Sequence, residues 1–95
     1  MAVYLLTYDL NRETQRPPIV AFIKNNYAWA RLSESCYAIE TNHPPSLTYS
    51  VFKPFLDGND QLYVIALSQP AEGQGPTDVN QWLWSHLTWT PALAA

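Results

Sequence analysis

Hydrophobic residues are grouped in four short stretches that predict β-strands. Residues 2–9 are mostly apolar at both odd and even positions, which is typical of a central strand that is buried on both faces. Two more strands are predicted at residues 27–32 and 35–41, joined by a tight turn at Ser33-Glu34-Ser35. A fourth strand, QLYVIALS, follows the turn signal DGND.

Two helices are predicted between these strands, and each is opened by a pair of prolines. The prolines at 17–18 suit the first turn of a helix, because proline lacks the N–H group that has no partner there. Apolar residues at spacings of three and four then carry this helix to about residue 26. The second helix begins at the prolines 44–45 and ends near residue 53, because Pro54 limits it. Its predicted apolar face consists of Leu47, Val51 and Phe55.

The order of these elements predicts an α+β fold of the ferredoxin-like type, βαββαβ. Right-handed crossover connections leave an antiparallel sheet with the order 4-1-3-2 and both helices on one face. Residues 77–87 predict an extra C-terminal helix, and the tail 88–95 is expected to be irregular. We therefore predict one domain, residues 1–95, with its core in residues 2–68 and the C-terminal helix and tail in residues 77–95.

Length, charge and cysteine content narrow the classes of function. A chain of 95 residues makes one small core, so we expect a homodimer to add stability. No apolar run approaches the roughly 20 residues of a membrane span, and the N-terminus has no leader pattern, so we expect a cytoplasmic protein. The net charge of −3 argues against a general nucleic-acid coat. The single cysteine, Cys36, fits a reducing compartment and predicts a buried, inert thiol.

The predicted topology brings a group of polar residues to one end of the sheet. The first strand ends there, the first helix and the last two strands begin there, and the turn between the second and third strands lies there. The residues gathered at this end are Asp9, Arg12, Arg16, Ser33, Glu34, Ser35, Asp57 and Asp60. Carboxylate oxygens are the ligands of Mg²⁺ or Mn²⁺, and arginines suit phosphate. Asp and Ser are also common turn residues, which is the preferred interpretation for Glu34, Asp57 and Asp60 and an open one for Asp9.

Three short motifs carry a resemblance to a known family. The first predicted strand ends in Tyr8-Asp9, the third opens with Ser35-Cys36-Tyr37-Ala38-Ile39-Glu40, and Asp60 precedes the last core strand. In this order, the motifs make residues 2–68 similar to the small CRISPR-associated proteins of the spacer-adaptation complex, here called Cas-two. They also resemble VapD-type toxins and short SinR-like bacterial proteins.

The resemblance implies a site shared by two subunits. In the family, a homodimer brings two first-strand aspartates near a shared axis, so Asp9 would be the catalytic residue and the ligand of a weakly bound Mg²⁺. Ser35 would lie beside it, and the arginines that would bind substrate phosphate are Arg12, Arg16 and Arg31. The metal would polarise a phosphodiester and lower the pKa of an attacking water. The implied activity is that of a metal-dependent endonuclease on DNA or RNA, and the implied protein partner belongs to an adaptation-type complex.

Two other interpretations do not need catalysis. In the first, the protein is a dimeric scaffold or adaptor, and Asp9 caps a turn. In the second, Trp29 on an exposed sheet face stacks on the bases of single-stranded RNA. No basic pattern accompanies Trp29, so we expect it to pack in the core or in a dimer interface, together with Trp82 and Trp84.

Overall fold

The computed structural model describes residues 1–89, which form four β-strands and three α-helices. The elements are β1 (Ala2–Asp9), α1 (Arg16–Asn26), β2 (Ala28–Ser33), β3 (Cys36–Thr41), α2 (Pro45–Phe52), β4 (Gln61–Leu67) and α3 (Thr77–His86). One 3₁₀ turn precedes α1 and another follows α2. The predicted small α+β architecture is confirmed. Within the predicted tail, residues 90–95 lie outside the described residues.

All four strands belong to one antiparallel sheet. Its order is β2-β3-β1-β4, which is 4-1-3-2 counted from the opposite edge, and each neighbouring pair is antiparallel. The strand β1 is central because it has apolar residues for both faces, and Val3, Tyr4 and Leu6 are all buried. The arrangement is compatible with a ferredoxin-like fold.

One face of the sheet carries the main hydrophobic core. Three residues of β1, Tyr4, Leu6 and Tyr8, pack there against α1 and α2; the helix residues in this core are Ile19, Ile23 and Phe52. Tyr37 and Ile39 of β3 face the same core, as their alternation predicts. We call this face of the sheet the helix face.

A smaller core covers part of the opposite face, called here the outer face. Val3 and Ala38 are buried there under Leu87, which follows α3, and Trp82 and Leu83 of α3 pack against them. The N–H of Gln69 donates to the carbonyl of Thr88 over 2.7 Å, so the chain before α3 is tied to the chain after it. The helix α3 therefore covers part of the second face of the sheet and lies beside β2.

The predicted apolar face of α2 is wrong for Leu47, which is 46% exposed. The buried residues of α2 are Thr48 and Phe52. Burial of Thr48 is tolerated because its hydroxyl donates to the carbonyl of Pro44 over 3.1 Å. Phe52 sits among the rings of Phe22, Tyr27 and Phe55, whose mutual packing sets the rotation of the helix.

None of the helices within residues 1–89 is long and apolar enough to cross a membrane.

Removal of the Phe52 ring should destabilise the protein strongly. We expect Phe52→Ala to lower the free energy of unfolding by about 3–5 kcal/mol, because the substitution leaves a cavity in the main core. The exposed Leu47→Ala on the same helix is the matched control and should change it by less than about 0.5 kcal/mol. Urea unfolding followed by circular dichroism measures both, and equal effects would contradict the observed rotation of α2.

Candidate functional site

Asp9 is the last residue of β1 and pairs across the sheet with Gln61 of β4. Its neighbour Tyr8 belongs to the core of the helix face, so alternation along the strand places Asp9 on the outer face. The Asp9 carboxylate is exposed, and it makes no hydrogen bond or ion pair with any other residue in the range 1–89. Asp9 therefore caps no turn within the described chain, and its carboxylate is free to interact with another molecule.

Arg16 lies at the start of α1 and is the most heavily bonded side chain at this end of the sheet. One terminal nitrogen, Nη1, donates to the carbonyl of Glu34 and to the hydroxyl of Ser35, each over 2.7 Å. Nε and Nη2 donate to the carboxylate of Glu13 over 2.8 and 3.1 Å. The guanidinium carbon also lies 5.6 Å from the centre of the Tyr8 ring. Arg16 thus joins the start of α1 to the β2–β3 turn and to β1.

The pair formed by Arg16 and Glu13 stabilises the charged forms of both groups. The hydrogen bond to Glu13 raises the pKa of Arg16, and the same bond lowers the pKa of Glu13. Glu13 is a residue that the sequence interpretation missed. Its spacing of three from an arginine on a helical turn is the signal that could have revealed it.

Asp57 and Asp60 hold the turn before β4 together. The carboxylate of Asp60 accepts from the backbone N–H of Asn11 over 2.6 Å and from that of Asp57 over 2.9 Å. Asp57 in turn accepts from the N–H of Asn59 over 2.8 Å. The interpretation of these two acids as turn residues is supported by these bonds.

Arg12 has only a weak partner in this turn. Its Nε lies 3.8 Å from Oδ2 of Asp57, and its side chain is 70% exposed, compared with 18% for Arg16. An exposed contact of this length contributes little to stability. Arg12 is therefore available to an external anion, whereas Arg16 is not.

Arg31 lies on the edge strand β2, opposite Tyr37 of β3. This register places it on the helix face, because directly opposite residues share a face and Tyr37 belongs to the main core. Arg31 is exposed and makes no hydrogen bond or ion pair with another described residue. The arginine and Asp9 are thus on opposite faces of the sheet.

Tyr8 is buried beside Arg16, and its hydroxyl donates a long, 3.5 Å hydrogen bond to the carbonyl of Glu34. Burial raises the pKa of Tyr8, so its phenol stays neutral near neutral pH. The uncharged Tyr8 ring packs beside the Arg16 guanidinium and does not act as a base.

The structure also places Trp29 and Cys36. Trp29 packs against Tyr37 with ring centres 5.8 Å apart and lies 4.9 Å from the ammonium of Lys24, on the side of α1. This confirms the prediction that it packs in the core, and Trp82 packs against the smaller core as expected. Trp84 is largely exposed and is not a core residue. Cys36 is half-buried and not buried as predicted, although desolvation by burial raises the pKa of its thiol.

The predicted site residues therefore divide into four sets. Arg16 is bonded to Ser35, and Arg12 lies at the Asp57–Asp60 turn. Asp9 stands apart on the outer face, and Arg31 lies on the helix face. Mg²⁺ keeps several waters and is usually held by one or two carboxylates together with substrate phosphates, and Asp9 is the one predicted ligand that a single chain supplies. Among residues 1–89, no group of three or more His, Cys, Asp or Glu side chains could hold a metal ion.

No protein-family model matches the chain, and no curated protein matches it significantly.

Alanine substitutions of Arg16 and Arg12 should distinguish the structural role of the first from the free side chain of the second. We expect Arg16→Ala to lower the free energy of unfolding by about 1–3 kcal/mol, because it removes bonds that join three elements. Arg12→Ala should lower it by less than about 0.5 kcal/mol, since its contact is exposed and long. Chemical denaturation measures both values. Equal stabilities of the two variants would contradict the structural role of Arg16.

Proposed function

We propose that this protein is a non-catalytic homodimeric scaffold, which contacts nucleic acid through its exposed arginines. The observation that carries the proposal is the separation of Asp9 from Arg31 by the sheet. A phosphate group beside Arg31 would lie on the far side of the sheet from Asp9. One chain therefore offers no surface where Asp9 and Arg31 meet the same phosphodiester.

The hydrogen bonds of the other polar residues at this end of the sheet also support a scaffold. Arg16 and Ser35 bond to each other, and Asp57 and Asp60 bond to backbone N–H groups. These residues hold the end of the fold rigid, which is what a scaffold requires. Of the predicted site residues, the arginines that remain free for phosphate are Arg12 and Arg31.

Binding to nucleic acid tests the scaffold proposal directly. We expect labelled single-stranded RNA or double-stranded DNA to bind weakly and in a salt-dependent way, because few phosphates are contacted. The double variant Arg12→Gln, Arg31→Gln should bind several-fold more weakly and should reduce the salt slope by roughly 2, about one per lost contact. Lys53→Gln, outside this group, is the matched control. Equal affinity of the wild type and the double variant for nucleic acid would contradict the proposal that Arg12 and Arg31 contact phosphate.

A metal-dependent endonuclease is the second candidate, and the free Asp9 carboxylate favours it. By the family resemblance, this function uses two first-strand aspartates, so a second copy of the chain would bring its Asp9 to the first. The resemblance to Cas-two-like proteins supports such a pairing.

A cleavage assay separates the two candidates. Wild type, Asp9→Asn and the control Glu34→Gln are incubated with labelled RNA or DNA in Mg²⁺, Mn²⁺ or EDTA. For a scaffold, we expect no cleavage that requires both the metal and Asp9. Metal-dependent cleavage that Asp9→Asn abolishes and Glu34→Gln keeps would overturn the scaffold proposal in favour of the nuclease.

A further inference from the structure

The strand β4 is an edge strand without the usual protection against pairing. In the described part of the chain it pairs only with β1 along its length. Edge strands are normally guarded by charged residues, proline, bulges or a covering element. The seven residues of β4, Gln61–Leu67, include no charged residue and no proline.

The other edge strand, β2, shows the protection that β4 lacks. It carries the charged Arg31, and its register with β3 shifts between Arg31 and Ser33. The helix α3 lies beside it, so that Trp82 and Val79 share a groove with Arg31. The contrast singles out β4 as the edge that is open to a partner.

Exposed apolar side chains accompany the open edge. Tyr63 is 60% exposed and Ile65 is 49% exposed, and both lie on the outer face, opposite Thr7 and Leu5 of β1. On the helix face, the exposed Tyr49 of α2 lines a shallow groove beside β4. A partner strand at this edge would find apolar contacts on both faces of the sheet.

We propose that β4 is the docking surface for a second copy of this chain, with the two β4 strands paired antiparallel about Val64. The inference rests on the dimeric part of the proposed function. The strand is self-complementary in this register, because Tyr63 of each copy lies opposite Ile65 of the other and forms a cross-strand aromatic–aliphatic pair. The absence of charge matters for a chain of net charge −3, since two copies meet here without opposing like charges.

This assembly determines the separation of the two Asp9 residues. Asp9 lies opposite Gln61, which is three residues from Val64, and one strand further from the axis. With about 3.4 Å per residue and about 4.8 Å per strand, the two Asp9 side chains are roughly 25 Å apart. The β4 dimer therefore cannot share one metal ion between them, and it fits the scaffold and not the nuclease.

Light scattering coupled to size-exclusion chromatography, over a range of protein concentrations, tests the surface. We expect a wild-type dimer and a dissociation constant raised roughly tenfold or more by Ile65→Lys, because a lysine on an edge strand blocks pairing. Trp84→Lys replaces another exposed apolar residue, on α3, and should leave the dimer unchanged. Circular dichroism checks that each variant is folded.

Cross-linking provides a second measurement that does not depend on the lysine variant. In a Cys36→Ser background, Val64→Cys should form an intermolecular disulfide on mild oxidation, because the axis brings the two Val64 residues opposite each other. Leu32→Cys on the protected edge strand β2 is the matched control and should not form an intermolecular disulfide. A dimer that keeps its affinity in Ile65→Lys, or that fails to cross-link through Val64→Cys, overturns the β4 surface and leaves the scaffold proposal standing. A wild-type protein that is monomeric overturns both the β4 surface and the homodimeric scaffold.

Discussion

The burial of β1 on both faces is the constraint on which the rest of the structure depends. Tyr4, Leu6 and Tyr8 pack under α1 and α2, and Val3 on the other face packs under the segment that contains α3. A strand with apolar residues at both parities loses apolar burial if it lies at an edge, so it takes a central position between β3 and β4. The two edges, the two layers and the position of Asp9 all follow from that placement.

Alternation along this strand also explains why the polar end of the sheet is not one site. Adjacent residues of a strand point to opposite faces, so Tyr8 is enclosed with Arg16 while Asp9 is left on the outer face. Arg16 then uses its hydrogen-bond donors on Glu13, Glu34 and Ser35. A cluster that is close in the topology is thereby divided into a structural network on one side and a free carboxylate on the other.

The assembly and the proposed function are linked through the same geometry. The proposed pair of β4 strands would extend the sheet at the edge that lacks protection and would keep Asp9 of the two copies apart. A pairing through the outer face beside Asp9 would instead bring the two acids together. The two proposed functions, scaffold and nuclease, therefore differ in the surface that a second copy would cover.

Local patterns in the sequence determined the elements and their order. The apolar stretches of β1 to β4, the proline pairs before α1 and α2, and the DGND turn are each patterns of a few neighbouring residues. They can therefore be recognised without a structure. The turn role of Asp57 and Asp60 was also predictable, because such bonds form within a few residues or at adjoining strand ends.

Tertiary packing alone decided the rest. The rotation of α2 follows from aromatic rings on α1 and beyond α2, and the spacing of Leu47, Val51 and Phe55 does not contain that information. The partners of Arg16 come from two separate segments of the chain. The faces on which Asp9 and Arg31 lie depend on the register between strands, which a one-residue shift would reverse. The sequence by itself therefore determined which residues reach the end of the sheet, and only the tertiary structure decided which of them meet.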